Sequence, residues 1–310
     1  MIGDIHGYAD ELVQLLEMLG YTETRGCFRH QTRRAVFCGD LIDRGPQIRD
    51  TVKIIRNMVG HESACAVMGN HEFNAIAYHT PHPYQPGRWC RAHSIRNTKQ
   101  HQATLEQFSD QELSEILDWF RELPIAIDLG DVRVVHACWD MSQIAILENA
   151  QPAGDRFNAA FVAEAVDPMH PFGKAIERVL KGPEVLLPGS MTVTDREGHA
   201  RRRVRVRWFD SPDEHSLGSY IFPDVPGLRD VPVPNVAASV PYSSDAPPLF
   251  IGHYWLRNDD QLIMRPNLAC VDLSVAKQGM LCAYRFNGET VLNRKSFVKI
   301  PARDHTSCRS

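Results

Sequence analysis

The sequence predicts an α/β fold, a layered sheet covered by helices, and three observations carry that prediction. Short apolar runs alternate with stretches of helical period. The apolar runs are brief enough to be buried strands. Polar clusters rich in Asp, His and Gly directly follow several of them, which places those clusters where open sheets gather their ligands.

The elements follow in chain order. Ala9 to Leu19 carries Leu12, Leu15, Leu16 and Leu19 on one helical face. Ala35 to Cys38 reads as a buried strand, Ile48 to Val59 returns to helical period, and Ala64 to Met68 is a second strand. Ile125 to Leu129 and Val132 to Val135 read as two strands joined by a tight Gly130-Asp131 turn. Leu249 to Ile251, Ala269 to Leu273 and Leu281 to Phe286 supply late strands. Alternating strands and helices of this kind pack as layers. The whole chain, 1–310, is expected to be essentially one domain, with a helical insertion at about 73–123 and a Pro-rich loop at about 223–248.

Composition narrows the function classes. Hydrophobic residues make up 43% of the chain, enough for a sizeable core. The formal net charge of -4 gives no global attraction to nucleic acid or to anionic lipid, so a nucleic-acid partner is not expected. No apolar run is long enough to span a membrane, and the N-terminus lacks the zones of a signal peptide. The 8 cysteines form no CxxC pair and several sit in apolar runs, as small buried residues of a reducing compartment do; a cytoplasmic protein is expected.

The chemistry concentrates in five clusters: Gly3-Asp4-Ile5-His6-Gly7, the Gly39 to Gly45 run with Asp40, Asp43 and Arg44, Gly69-Asn70-His71-Glu72, Val135-His136-Ala137-Cys138, and Gly252-His253-Tyr254-Trp255. Asp4 and His6 stand two apart, so an extended backbone aims both the same way. They can chelate one cation. Asn70, His136 and His253 offer an oxygen and two nitrogens to a second, and the Asp40 carboxylate can bridge the two. Mixed N/O ligation favours Mn, Fe, Zn or Co over Ca. Two such ions can share a hydroxide nucleophile and clamp a phosphoryl oxygen. His71 can protonate the leaving-group oxygen, Asp43 can hold that imidazole in its tautomer, and Arg44 can grip phosphate.

In this order the clusters resemble the calcineurin-like metallophosphoesterases, and within them the phosphoprotein phosphatase branch with its serine/threonine phosphatases and symmetrical diadenosine tetraphosphatases. The resemblance spans residues 3 to 253. It implies a four-layer αββα sandwich with two divalent metal ions (Mn, Fe or Zn) at one edge. One ion would be held by Asp4, His6 and Asp40, the other by Asp40, Asn70, His136 and His253. His71 would be the proton donor, with Asp43 behind it and Arg44 on the phosphate. Phosphodiesterase and nuclease branches commonly end in GHxH, whereas position 255 is Trp, which favours the phosphatase side. Two departures stand out. Only Met1 and Ile2 precede the first cluster, so a clipped first strand or a misassigned start is expected, and no counterpart of the family's second phosphate-binding arginine is obvious.

The resemblance makes the expected partner a phosphorylated substrate, a phosphoprotein or a dinucleoside polyphosphate. The late segment Val271-Asp272 to Arg285 resembles the closing strands of the tetraphosphatase group and tilts the balance to nucleotides. Other readings stay open. Arg203, Arg205 and Arg207 share one face at period 2; one of them supplies the missing clamp, or the face is a solvated edge. The insertion's His79, His82, Trp89, His93, Asn97 and His101 form a substrate wall or ordinary packing. Tyr254, beside Asn70 and Arg44 as an expected substrate contact, lines the pocket mouth or packs in the core. A nucleic-acid-processing module and a metal-stabilised scaffold without activity are the rival functions.

Overall fold

The computed structural model describes residues 1–150, 155–194, 200–222, 226–229, 231–233 and 241–303. In its first half the order is α1 (Ala9–Met18), β1 (Thr22–Thr24), β2 (Cys27–Arg29), β3 (Ala35–Phe37), α2 (Ile48–Gly60), β4 (Ala64–Ala66), α3 (Asn70–His79), α4 (Ile95–Gln107), α5 (Asp110–Glu122), β5 (Ala126–Asp128) and β6 (Arg133–Val135). The rest includes α6 (Met141–Asn149), α7 (Ala159–Ala165), α8 (Pro171–Lys181), β7 (Glu184–Leu186), β8 (Val193–Thr194), β9 (Ala200–Arg201), β10 (Arg203–Arg205), β11 (Leu249–Ile251), β12 (Ile263–Arg265), β13 (Leu268–Cys270), β14 (Asp272–Leu273), β15 (Met280–Tyr284) and β16 (Phe297–Pro301).

Local signals set the helix ends. In α1, Leu12, Leu15 and Leu16 are buried on one face, as their spacing predicts. Its end is a Schellman turn: Tyr21 N–H reaches Leu16 O, Gly20 N–H reaches Glu17 O, and Gly20 takes the left-handed conformation that glycine tolerates best. In α5 the Ser109 hydroxyl accepts from Glu112 N–H while Glu112 reaches back to Ser109 N–H, a capping box.

Two sheets form the centre of the fold, beside the small β1-β2, β7-β10 and β8-β9 pairs. In one, β3 and β4 pair in parallel and β15 lies antiparallel between β14 and β16. Ile2 joins these groups, bridging to Phe37 on one side and Ala283 on the other. The strand before the first cluster is represented by this single bridging residue. The second sheet runs β12-β13-β11-β6-β5, with β13, β11 and β6 parallel and hydrogen-bonded in series. The Gly130-Asp131 turn joins β5 to β6 as an antiparallel pair.

Period-2 alternation shows how the sheets stack. Val36 and Cys38 from one sheet, and Val134, Phe250, Ala269 and Val271 from the other, form one cluster together with Val67 and Tyr284. Their neighbours Ala35, Phe37, Val135, Leu249, Ile251, Leu268 and Cys270 belong instead to the cluster that contains the helical Leu12, Ile55, Leu147 and Val179. The sheets therefore pack face to face, and helices cover both outer faces. This is the αββα layering, and Phe250, 0% exposed at its centre, would cost about 3–5 kcal/mol to truncate to Ala.

The arginine-rich segment departs from a single strand. It breaks at Arg202 into β9 and β10, and β10 pairs antiparallel with β7. Val204 and Val206 are buried with Val185, Leu217 and Tyr220, so the predicted apolar face exists. Much of the Pro-rich stretch, 223–225, 230 and 234–240, lies outside the described residues. The helical stretch starts earlier than predicted, because α3 begins at Asn70 itself. Among the described residues no helix is long and apolar enough to cross a membrane.

Candidate dinuclear metal centre

All five clusters stand immediately beyond strands or the Ile2 bridge. Asp40 follows β3, Asn70 follows β4, His136 follows β6, His253 follows β11, and Asp4 follows Ile2. The parallel strands point their C-terminal ends to one place, so topology alone gathers these side chains.

Asp40 lies at the centre. His6 Nε2 stands 3.7 Å from its Oδ2, His71 Nε2 3.9 Å from the same atom, and His136 Nε2 3.4 Å from Oδ1. These separations suit atoms around shared cations bound at about 2.0–2.2 Å. Asn70 Oδ1 is 3.2 Å from His136 Nε2. Asp4 accepts from His253 N–H at 3.0 and 3.2 Å, which locks those two clusters together. The side-chain donor atoms of Asp40, His136 and His253 lie within 4.8 Å of one another, as do those of His6, Asp40 and His71.

The backbone is bent to achieve this. His6 (φ 50°), Asp40 (51°), His253 (71°), Asp43 (66°), Arg44 (71°) and Trp255 (53°) are all left-handed. For residues with side chains that conformation is costly, and such strain gathers at working sites. Glycine is required at two neighbours. A Cβ on Gly252 would lie 2.1 Å from Asp4 Oδ1, and one on Gly69 would lie 2.3 Å from Asp40 N.

The histidines are held in one tautomer. His6 donates from Nδ1 to Ile42 O at 2.8 Å, and His136 from Nδ1 to Cys38 O at 2.7 Å. Each therefore turns Nε2 into the site, where it would supply a lone pair to a bound cation. Burial, with the neighbouring His71, lowers the His6 imidazole to about 3 and keeps it neutral. Burial also lowers His253 well below the usual histidine range, with Arg205 and His136 adding to it. His136 is raised instead, because the Asp40 charge outweighs its burial.

Several groups have chemistry that a cation would complete. His6 Nε2 and His253 Nε2 are buried without a hydrogen-bond partner. Burial, reinforced by Asp272 and Asp40, pushes the Asp4 carboxyl well above the usual carboxylate range. Opposite charge placed among these groups would reverse each penalty. The residues fit two divalent cations.

Beside this set, His71 Nδ1 meets Asp43 Oδ2 at 2.5 Å. Burial opposes protonation of His71, but Asp40 and the bond to Asp43 outweigh it and raise the imidazole. Arg44 is exposed, and its guanidinium lies 4.3 Å above the Trp255 ring. Lys277 Nζ lies 5.5 Å from the same ring, and Trp255 stands edge-on to His6 at 6.2 Å. Tyr254 requires a correction. It was expected at the substrate, but it is 3% exposed, accepts from Trp208 Nε1 at 2.9 Å and donates to Ala137 O at 3.1 Å. Its hydroxyl is spent on the core, where a phenol needs a partner.

Sequence reasoning missed three contributors. Glu72 is fully buried, and its carboxylate accepts from the N–H groups of Gly69, Asp40 and Leu41, each at 2.9 Å. It clamps the loop after β3 to the start of α3; its place three residues after Gly69 was the available signal. Asp272 accepts from Trp255 N–H and Ser274 N–H. His101, which the sequence leaves as wall or packing, hydrogen-bonds to Asp43 at 2.8 Å. The nearby His93 is packing, stacked between Tyr78 (3.9 Å) and Trp89 (4.8 Å).

Comparison with known proteins bears on this arrangement. Residues 1–154 match the family model for calcineurin-like phosphoesterases. A bis(5'-nucleosyl)-tetraphosphatase PrpE (asymmetrical) from Halalkalibacterium halodurans is 36% identical over 125 residues, 40% of this chain and 47% of that protein. A symmetrical bis(5'-nucleosyl)-tetraphosphatase from Actinobacillus succinogenes is 29% identical over 147 residues, 46% of each chain. The chain thus spans about half the length of the curated relatives it matches. A solved cold-active protein-tyrosine phosphatase from a psychrophilic Shewanella superposes with a TM-score of 0.49 at 16% identity, over 97% of this chain and 79% of that one. With Asp4, His6, Asp40, Asn70 and His136 converging inside the matched stretch, residues 1–154 are a calcineurin-like metallophosphoesterase domain.

Proposed function

We propose that this protein is a phosphatase that uses two divalent cations to hydrolyse a phosphate ester or anhydride. One observation carries the reading: a buried Asp40 ringed by histidine Nε2 atoms, with a His71–Asp43 pair at its edge. Asp4, His6 and Asp40 would hold one cation; Asp40, Asn70, His136 and His253 would hold the other. Mixed nitrogen and oxygen donors suit Mn, Fe or Zn. When bound, such a pair supplies positive charge for the phosphoryl oxygens and acidifies a water for in-line attack.

The chain's own residues do the rest. His71, kept protonated by its acidic neighbours, gives the Nε2 proton to the departing oxygen. Asp43 remains a carboxylate and holds the ring's aim. Arg44 offers its fork of N–H groups to phosphate from its seat on Trp255. Arg205, half-buried and close enough to depress His253, is the member of the arginine-rich segment placed to serve as a second phosphate contact. Arg207 is already paired with Asp210 at 2.7 Å. The 1–310 chain works as one domain, since β11 to β13 complete the sheet that β5 and β6 begin.

The substrate we favour is a dinucleoside polyphosphate. Two similar proteins are named for that activity, and Arg44, Lys277 and Arg205 give the rim a positive character suited to several phosphates. The test is a Mn-loaded assay against p-nitrophenyl phosphate, diadenosine tetraphosphate, a phosphopeptide and capped RNA, repeated with a strong chelator. The expected result is fastest turnover of the tetraphosphate, abolished by the chelator. Preference for the phosphopeptide would move the assignment to phosphoproteins, and chelator-insensitive hydrolysis would end it.

A further inference from the structure

Helix α4 is unusual in what it buries. Its only buried side chains are His101 and Thr104, both polar, one turn apart on the same face. A helix that merely packed would turn an apolar stripe inward. Both side chains instead meet one carboxylate. His101 Nδ1 is 2.8 Å from Asp43 Oδ1, and Thr104 Oγ1 donates to the same oxygen at 2.6 Å while accepting from Asp43 N–H at 3.1 Å. Gln107, on the next turn, accepts from Ile48 N–H at 2.6 Å and donates to Gly45 O at 3.0 Å. The helix therefore grips the loop that carries Asp43 and Arg44 at several points.

The hydrogen positions follow from the partners. A carboxylate only accepts, so His101 carries its proton on Nδ1. Its Nε2 stands 3.2 Å from His79 Nε2, and one of these two nitrogens donates to the other. Asp43 Oδ1 is filled by His101 and Thr104, which leaves Oδ2 for His71 alone. Rotation of the carboxylate away from His71 would break two buried bonds.

We propose that His101, assisted by Thr104, is a positioning residue for leaving-group protonation: by fixing Asp43 it fixes the tautomer and the aim of His71. The inference rests on the phosphatase reading above. It assigns a catalytic use to the helical insertion, which otherwise resembles a cover. His101 acts through Asp43 and touches no substrate.

The test compares His101→Ala, His101→Asn and Thr104→Val with the unmodified protein, all Mn-loaded, on p-nitrophenyl phosphate and on an alkyl phosphomonoester. The alkoxide needs a proton as it leaves, and nitrophenolate scarcely does. His101→Ala should lower kcat on the alkyl ester on the order of tenfold, leaving KM, metal content and nitrophenyl turnover within about twofold. Asn places its amide nitrogen near the position of Nδ1, so His101→Asn should recover most of the loss. Equal losses on both substrates, no loss on either, or an Asn variant as poor as Ala would each overturn the proposal. If His101→Ala fails to fold by circular dichroism, Thr104→Val carries the same comparison with a smaller expected loss. A second readout needs no turnover. The His71 Nδ1 proton should give a strongly deshielded NMR resonance that weakens in His101→Ala, and a resonance unchanged by the substitution counts against the idea. An unmodified protein inactive on every ester would sink the phosphatase reading, while this resonance would still judge His101.

Discussion

His71 Nδ1–H donates a hydrogen bond to Asp43 Oδ2 across 2.5 Å, which leaves Nε2, 3.9 Å from Asp40, as the ring atom that can serve a substrate. The same Nε2 could bind a cation if it lost its proton, since it stands with His6 and Asp40 in a group able to hold one. Asp43 and Asp40 both favour the protonated ring. His71→Ala is therefore expected to keep its metal content by elemental analysis and to lose on the order of 10² in turnover of alkyl esters. Loss of metal in that variant would make His71 a ligand instead.

Glu72 is expected to matter as much for assembly as any ligand. Its two oxygens satisfy the N–H groups of Gly69, Asp40 and Leu41, all buried. Glu72→Ala strands these donors at about 1–3 kcal/mol each if no water replaces the carboxylate. A drop of several degrees in melting temperature and a weaker apparent affinity for Mn are expected. Calorimetry and metal titration check both. A variant with unchanged metal affinity would show that Asp40 holds its place without the clamp.

The site was legible because it is built from short strings fixed to strand ends. Asp4, His6, Asp40, Asn70, His136 and His253 each follow an apolar run, and the parallel strands had to bring such ends together. What was not legible depends on contacts between distant segments. Nothing near Thr104 announces that it faces Asp43, 61 residues away. His101 looked like any other histidine of a His-rich insertion until burial singled it out. Tyr254 was misplaced because a residue next to a ligand shares its loop but not its direction: the left-handed turn at His253 sends the following side chain into the core. The fold's layering was readable from period-2 apolar runs, whereas the break at Arg202 was not, since every residue around it suits a strand.

Trp255 and Arg44 make a further case. The guanidinium lies 4.3 Å above the indole, within cation–π range, and a contact of this kind contributes about 0.5–1 kcal/mol at an exposed site. Trp255→Ala frees Arg44 to sample other rotamers, so KM for a charged phosphate should rise by a few-fold. Trp255→Phe, which keeps an aromatic face, should fall between the two. Arg44→Ala should raise KM further and lower kcat as well. If Trp255→Ala changed kinetics while Arg44→Ala did not, the ring itself would be the substrate contact.

The Asp43 carboxyl fixes a pH dependence of stability whose sign can be worked out. Burial opposes its ionisation, but hydrogen bonds from His101 and His71 overcome that penalty and hold it well below the usual carboxylate range. The folded state thus prefers the ionised form more strongly than the unfolded chain does, where such a group titrates at about 3.9. The stabilisation is complete above that value and is lost as pH falls below it. Asp43→Asn removes the preference and turns an amide N–H or a weaker acceptor toward His71 and His101. In metal-free protein, the stability gap between the unmodified chain and Asp43→Asn should narrow below about pH 4. Urea unfolding at each pH measures it. A gap that widens as pH falls below about 4 would mean that Asp43 is protonated in the folded state, and the carboxylate assigned to it behind His71 would have to be given up.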